Sequence, residues 1–135
     1  AEAAAWLEAG IRDAMKAGEG DGLLVSQHGG FTRPAKPFNA AQTELFGKVK
    51  QVGALLGQDI AWKPSGGVCE GNNLFAAGLP NVDTLGVRGG DIHSENEFAW
   101  PDSFAERAQL SALILMKLAS GEIDARGIRA LMESR

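Results

Sequence analysis

Between Gly29 and Pro37 the chain cannot hold a regular helix or strand, because Gly29, Gly30, Pro34 and Pro37 fall in one short run. Proline fixes φ and removes an amide donor, while glycine loses the most backbone freedom on ordering. The run is therefore the expected boundary or crossover between two parts, residues 1–29 and residues 30–135. Neither part is large. The 135 residues, 44% hydrophobic and 22% charged, suffice for one modest core or for parts of two. Cys69 is the only cysteine, so no internal disulfide forms and packing alone must hold the fold. A free thiol fits a reducing compartment, which makes the cytoplasm the expected location.

Several function classes are excluded on composition. No apolar run approaches the roughly 20 residues that span a bilayer, so no membrane partner is expected. The net charge of -4, with lysines and arginines scattered along the chain, leaves no basic footprint for nucleic acid. The chain opens Ala1-Glu2-Ala3-Ala4-Ala5-Trp6 with neither a start methionine nor a signal peptide, and it reads as an excerpt of a longer product.

Local signals alternate between helix and strand. Ala3, Leu7, Ile11 and Ala14 recur at helical spacing, with Gly18 as the stop. Residues 23–26 read as a short strand. Asn39 caps a second helix, Gln42 stands where a capping box needs it, and Gly57 ends it. Its apolar stripe is Leu45, Val49, Val52 and Leu56. Residues 59–63 read as a strand, 73–77 as a brief helix closed by Gly78, and 81–87 as another strand. Ser103 and Glu106 open a long helix whose apolar face is Phe104, Ala108, Ala112, Leu115 and Leu118, and Gly121 closes it. The tail from 124 to 135 has room for a short helix around Ile128 and Leu131. This alternation predicts an α/β fold, a mainly parallel sheet with flanking helices.

Four constellations offer chemistry. The loop Gly89-Gly90-Asp91-Ile92-His93-Ser94-Glu95-Asn96-Glu97 presents one histidine just past a predicted strand. A neutral imidazole there is a good zinc ligand, and a nearby carboxylate is suited to orient it through its other nitrogen. A solvated surface histidine is the plainer alternative. The turn Ser65-Gly66-Gly67-Val68-Cys69-Glu70 precedes a short helix, and successive amides in such a turn suit a carboxylate. A tight turn that needs glycine for positive φ explains it equally well. Arg33, on the rigid loop, has the two-pronged guanidinium that clamps carboxylates, though a solvated arginine fits too. His28 is open to the same two readings. Cys69 with His93 and Glu97 or Asp91 superficially supplies a nucleophile, a base and an orienter, but cysteine beside glycines is more often a packing residue.

Taken in order, Gly66-Gly67-Val68-Cys69-Glu70-Gly71-Asn72, Ala76-Ala77-Gly78-Leu79-Pro80, Leu85-Gly86, Gly89-Gly90-Asp91-Ile92-His93-Ser94 and Ser103-Phe104-Ala105-Glu106-Arg107-Ala108 resemble the end of the M20 metallopeptidases. That family includes carboxypeptidase G2-like glutamate hydrolases, acetylornithine deacetylase and succinyl-diaminopimelate desuccinylase. The resemblance runs from about Leu23 to Leu118. It implies that residues 1–29 are the last helix and strand of an α+β lid domain, which often forms a dimer interface. Residues 30–135 would be the C-terminal half of a zinc-peptidase-like catalytic domain. On this resemblance His93 matches the final ligand of a two-zinc centre. Gly66, Gly67, Glu70 and Arg33 fall where the substrate's carboxylate is held.

The implied activity is hydrolysis of an amide or peptide bond in a small acyl-amino acid or peptide, with zinc as cofactor. The implied partners are that substrate, the N-terminal remainder of the same protein, and a second copy in a homodimer. The sequence departs from relatives at Val68 and Cys69, which often are Thr and Ser, and at Glu70, more commonly Asp. The family's second histidine, bridging aspartate and paired glutamates are missing, so this piece by itself is expected to be inactive and zinc-free. Two rival readings stay open, a noncatalytic α/β binding or assembly module and a thiol hydrolase using Cys69 and His93.

Overall fold

The computed structural model describes residues 2–132 of the chain. They form α1 (Glu2–Gly20), α2 (Ala40–Leu55), α3 (Glu70–Ala76), β1 (Gly89–Gly90), β2 (Phe98–Ala99), α4 (Asp102–Ser120) and α5 (Ala125–Ala130). The chain divides into two compact units, Ala1–Arg33 and Pro34–Arg135.

In the first unit α1 runs beyond Gly18 and ends only at Gly20. Residues 23–25 then fold back along it. The Leu23 amide donates to the Gly18 carbonyl (2.9 Å), and Val25 Cγ2 fills the space a Cβ on Gly18 would need. The half-buried positions are Ala4, Glu8, Ile11, Met15 and Gly18, so the covered face is turned from the expected stripe of Ala3, Leu7, Ile11 and Ala14.

The second unit is built on α2. Asn39 accepts a hydrogen bond from the Gln42 amide (3.0 Å), and Gly57 at φ +70° closes the helix, as the sequence signals require. Val49 and Val52 are buried, with Leu45 and Leu56 packed beside them. α2 lies against α4 and α5, and the core joins Ala41, Val49, Val52, Ile60, Leu110, Ile114, Ile123 and Ile128. Gly53 has no side chain because Ile60 occupies that space. Asp124 caps α5 through the Gly127 amide (2.9 Å), and Ile128 is its buried anchor, in keeping with the helical tail expected from the sequence. The final residues of that tail lie outside the described residues.

The mainly parallel sheet is not formed. Among the described residues the only ladder is antiparallel, Gly89 opposite Ala99 and Gly90 opposite Phe98. The described residues are mostly helical, and among them neither the mainly parallel sheet expected of the second part nor the strand expected at residues 23–26 is formed. The physical reason is visible at each expected strand. A parallel strand needs a neighbour on its ladder and cover on both faces. Residues 59–63 instead bury Ile60 alone against α2, leaving Trp62 42% exposed. Within 81–87, Thr84 adopts φ 61°, a left-handed conformation that breaks an extended run. Residues 23–25 spend their contacts on α1.

α4 corrects a second expectation. Its N-terminus is at Asp102, with Pro101 before it, and Ser103 is fully buried inside the helix. The face turned to the core carries Ser103, Leu110 and Ile114. Of the expected apolar face, Phe104, Ala108, Ala112 and Leu115 are exposed, and only Leu118 packs against the core.

Candidate functional site

The histidine loop is the tip of the β1–β2 hairpin. Its base is tight because Gly89 and Gly90 lack side chains: a Cβ on Gly89 would strike the Phe98 carbonyl, and one on Gly90 would lie 2.8 Å from the Phe98 ring. The Trp100 amide extends the pairing to the Arg88 carbonyl (2.8 Å). Buried Ser103 then locks the base to α4, accepting from the Arg88 amide (2.9 Å) and donating to the Trp100 carbonyl (2.6 Å). Glu106 adds an ion pair to Arg88 at 3.0 Å, so it serves the hairpin and not a capping box.

Within the tip, Ser94 returns both its amide (3.1 Å) and its hydroxyl (2.7 Å) to the Asp91 carbonyl. The Glu97 amide donates to the Ser94 carbonyl at 3.2 Å. Asp91 and His93 both have positive φ, 51° and 69°. Each such residue costs roughly 1–2 kcal/mol relative to ordinary backbone. Residues 91–97 are all exposed, so no buried packing of their own compels this geometry. Glu97 does approach His93, but its Oε2 accepts from the backbone amide (3.4 Å), not from the ring. The expected carboxylate orienting the imidazole is therefore a carboxylate steadying the loop.

The glycine turn lies at the start of α3. Gly66 and Gly67 are exposed, and the Gly67 amide already donates to Ser65 Oγ (3.1 Å). The Cys69 amide donates to Asn72 Oδ1 (3.1 Å), the return half of a capping box in which the thiol faces Asn72 from 3.8 Å. Two amides of the turn are thus satisfied internally. Glu70 is the exposed first residue of α3. Arg33 and His28, both exposed, belong to the first unit, whereas Gly66, Gly67, Glu70 and His93 belong to the second.

Sequence reasoning missed a polar cluster centred on Lys36, Asn81 and Asp83. Lys36 Nζ binds the Asp83 carboxylate and also donates to Asn81 Oδ1 (3.1 Å). Asn81 Nδ2 donates to the Gly71 and Leu79 carbonyls, and its backbone exchanges two hydrogen bonds with the buried Gln42 amide. Asn72 Nδ2 holds the Pro34 carbonyl at 2.9 Å. Gly71 is glycine because Asn81 and Asp83 fill the space of its Cβ. Burial acts to raise the Asp83 carboxyl, but hydrogen bonds from Lys36 and the Cys69 thiol, together with the Lys36 charge, outweigh it and hold it below the usual aspartate value. The partners stand more than 40 residues apart in sequence, so no local pattern announces them. The one trace was Gln42, whose side chain leaves the expected capping role to bind Asn81.

Because Asp83 is held below its unfolded value, its contribution is complete above about pH 4 and is lost as pH falls through the lowered value. Asp83→Asn is expected to lower stability at pH 6 by about 1 kcal/mol, a figure reduced for the pair's partial solvation. The difference from the unsubstituted chain should shrink toward pH 2. Thermal melts of both proteins across that range check it, and a gap independent of pH would contradict it.

The thiol and the imidazole are not joined: among the described residues no hydrogen bond links Cys69 to His93, and the thiol is engaged with Asn72 and Asp83. No group of three or more His, Cys, Asp or Glu side chains suited to a metal occurs among the described residues. No helix among them is long and apolar enough to cross a membrane. Compared with protein-family models, curated proteins and solved structures, the chain matches none.

Proposed function

We propose that this chain supplies one metal ligand, His93, to a zinc-dependent hydrolase of the M20 type that cleaves an amide or peptide bond in a small acyl-amino acid or peptide. The observation carrying this reading is the strained hairpin tip. Two non-glycine residues, Asp91 and His93, sit in the left-handed region on an exposed loop whose base is pinned by Gly89, Gly90 and Ser103. Exposed backbone strain of this kind tends to persist where a side chain must be presented in a fixed direction.

The described residues do not by themselves fit a catalytic zinc. Such a centre takes about three protein ligands, and the hairpin tip offers a single imidazole with no qualifying cluster around it. In this reading the remaining ligands and the general base come from outside the described residues. The chain's own part is to hold the imidazole out from a rigid base. The turn at Gly66 and Gly67, with Glu70, would face the substrate's carboxylate in this reading, which rests on the sequence resemblance.

Zinc content of the purified, dialysed chain tests the division of ligands. Well under one zinc per chain is expected, both for the unsubstituted protein and for His93→Ala. One zinc per chain, lost in the variant, would show that this chain or two copies of it build the site unaided.

A further inference from the structure

A groove of about 360 Å³ runs between the end of α2 and the first turns of α4, within the second unit. Gln58 and Asp59 line it from the segment leaving α2, Arg88 from the hairpin base, and Glu106 and Arg107 from α4. Two side-chain atoms of this lining, Gln58 Oε1 and Arg107 Nε, are sealed from solvent without a hydrogen-bond partner. They are the only two such atoms among the described residues. Buried polar atoms are nearly always paired, so two orphans on one groove need a common cause. Gln58 cannot resolve its own, because its amide nitrogen donates to the Glu106 carbonyl (2.9 Å) and so fixes where the oxygen lies. The Arg107 side chain is only 19% exposed, yet its ion pair to Glu106 Oε1 spans 3.7 Å, too long for a hydrogen bond. Glu106 gives its other oxygen to Arg88 at 3.0 Å. A guanidinium so enclosed normally meets an anion through short, paired bonds.

We infer that this groove binds a small zwitterion of the α-amino acid class. The two orphans ask for opposite things. Arg107 Nε needs an anionic acceptor, and Gln58 Oε1 needs a donor. An α-amino acid carries both, a carboxylate and an ammonium on one carbon. The charges agree, since Arg88 and Arg107 are balanced by Asp59 and Glu106 and the lining has no net charge. Such a lining favours a neutral guest with separated charges over a plain anion. The volume lies at the small end of the roughly 300–1,000 Å³ of known ligand pockets. Both atoms are sealed in this arrangement, so the guest reaches them as the Gln58 or Arg107 side chain turns. That turn is favoured because a buried donor or acceptor left unpaired is costly. The inference is independent of the metal-ligand reading, since it uses no residue of the hairpin tip.

Side-chain NMR of the isotope-labelled chain tests it, with glycine, acetate and methylammonium as probes. Glycine is expected to move the Gln58 amide and Arg107 Nε–H signals saturably, with a dissociation constant on the order of millimolar for so small a ligand. Acetate and methylammonium each carry one half of the zwitterion and should bind at least about tenfold more weakly. Arg107→Gln should weaken glycine by a similar factor while keeping its helical circular dichroism, since glutamine is also a good helix former. The absence of a saturable glycine shift up to about 100 mM would overturn the inference. Acetate or methylammonium binding as well as glycine would overturn it too, as would a folded Arg107→Gln protein that binds glycine unchanged. If Arg107→Gln unfolds, the three probes on the unsubstituted chain decide by themselves.

Discussion

Leu110→Ala is expected to destabilise the chain by about 3–4 kcal/mol, near the middle of the range for fully buried leucines. Leu110 has no exposed surface and belongs to the cluster formed by α2, α4, α5 and Ile60. Removing its branched end forfeits the apolar transfer term and leaves a cavity. Neighbours such as Val49, Val52 and Ile114 are fixed on helices and can close it only in part. The loss is large against the roughly 5–15 kcal/mol that holds an ordinary domain. Urea titration checks it: the midpoint should fall steeply with the slope unchanged. Leu110→Met, which keeps the volume, should cost under about 1.5 kcal/mol. A Leu110→Ala loss below about 1 kcal/mol would mean that the core described here is not the one holding α4.

That position also shows what the sequence could and could not convey. α2 was readable because its signals are local. Asn39, Gly57 and the stripe from Leu45 to Leu56 all act within one helix. The α5 segment was readable for the same reason. The existence of α4 was equally plain, but its orientation was not. The helix has two apolar faces, and periodicity cannot say which one meets the core of the second unit. Leu110 and Ile114 take that role, while of the expected face Phe104, Ala108, Ala112 and Leu115 stay outside and Leu118 alone packs on the core.

The sheet failed for a different reason. A short apolar run becomes a strand only if a neighbour completes its ladder, and that neighbour is a long-range fact. Ile60, Thr84 and Val25 each found other engagements, in the α2 core, in a left-handed turn and against Gly18 respectively. The Lys36–Asp83–Asn81 cluster was hidden for the same reason, since its members meet only once α2 and α3 have brought their flanking segments together. The hairpin tip was half legible. Its glycines and histidine stood out at once, whereas the left-handed φ of Asp91 and His93 and the Ser103 lock required the fold.

In the proposed function the hairpin tip presents His93 to a metal. The measurement that tests it most directly is turnover of small acyl-amino acids, with zinc supplied, by a polypeptide that joins this chain to the ligands the proposal places elsewhere, comparing His93→Ala and His93→Gly with the unsubstituted protein. Both substitutions remove the imidazole that would coordinate zinc. His93 is exposed and makes no core contact, so neither should harm folding. Glycine adopts positive φ without penalty, so His93→Gly should raise the melting temperature slightly by relieving strain. Turnover in both should fall by at least about a thousandfold, well past the roughly 10–100-fold that follows loss of a residue supporting a ligand from outside. Turnover within a few fold of the unsubstituted protein, in variants that fold normally, would contradict the account and leave the hairpin tip without a metal to serve.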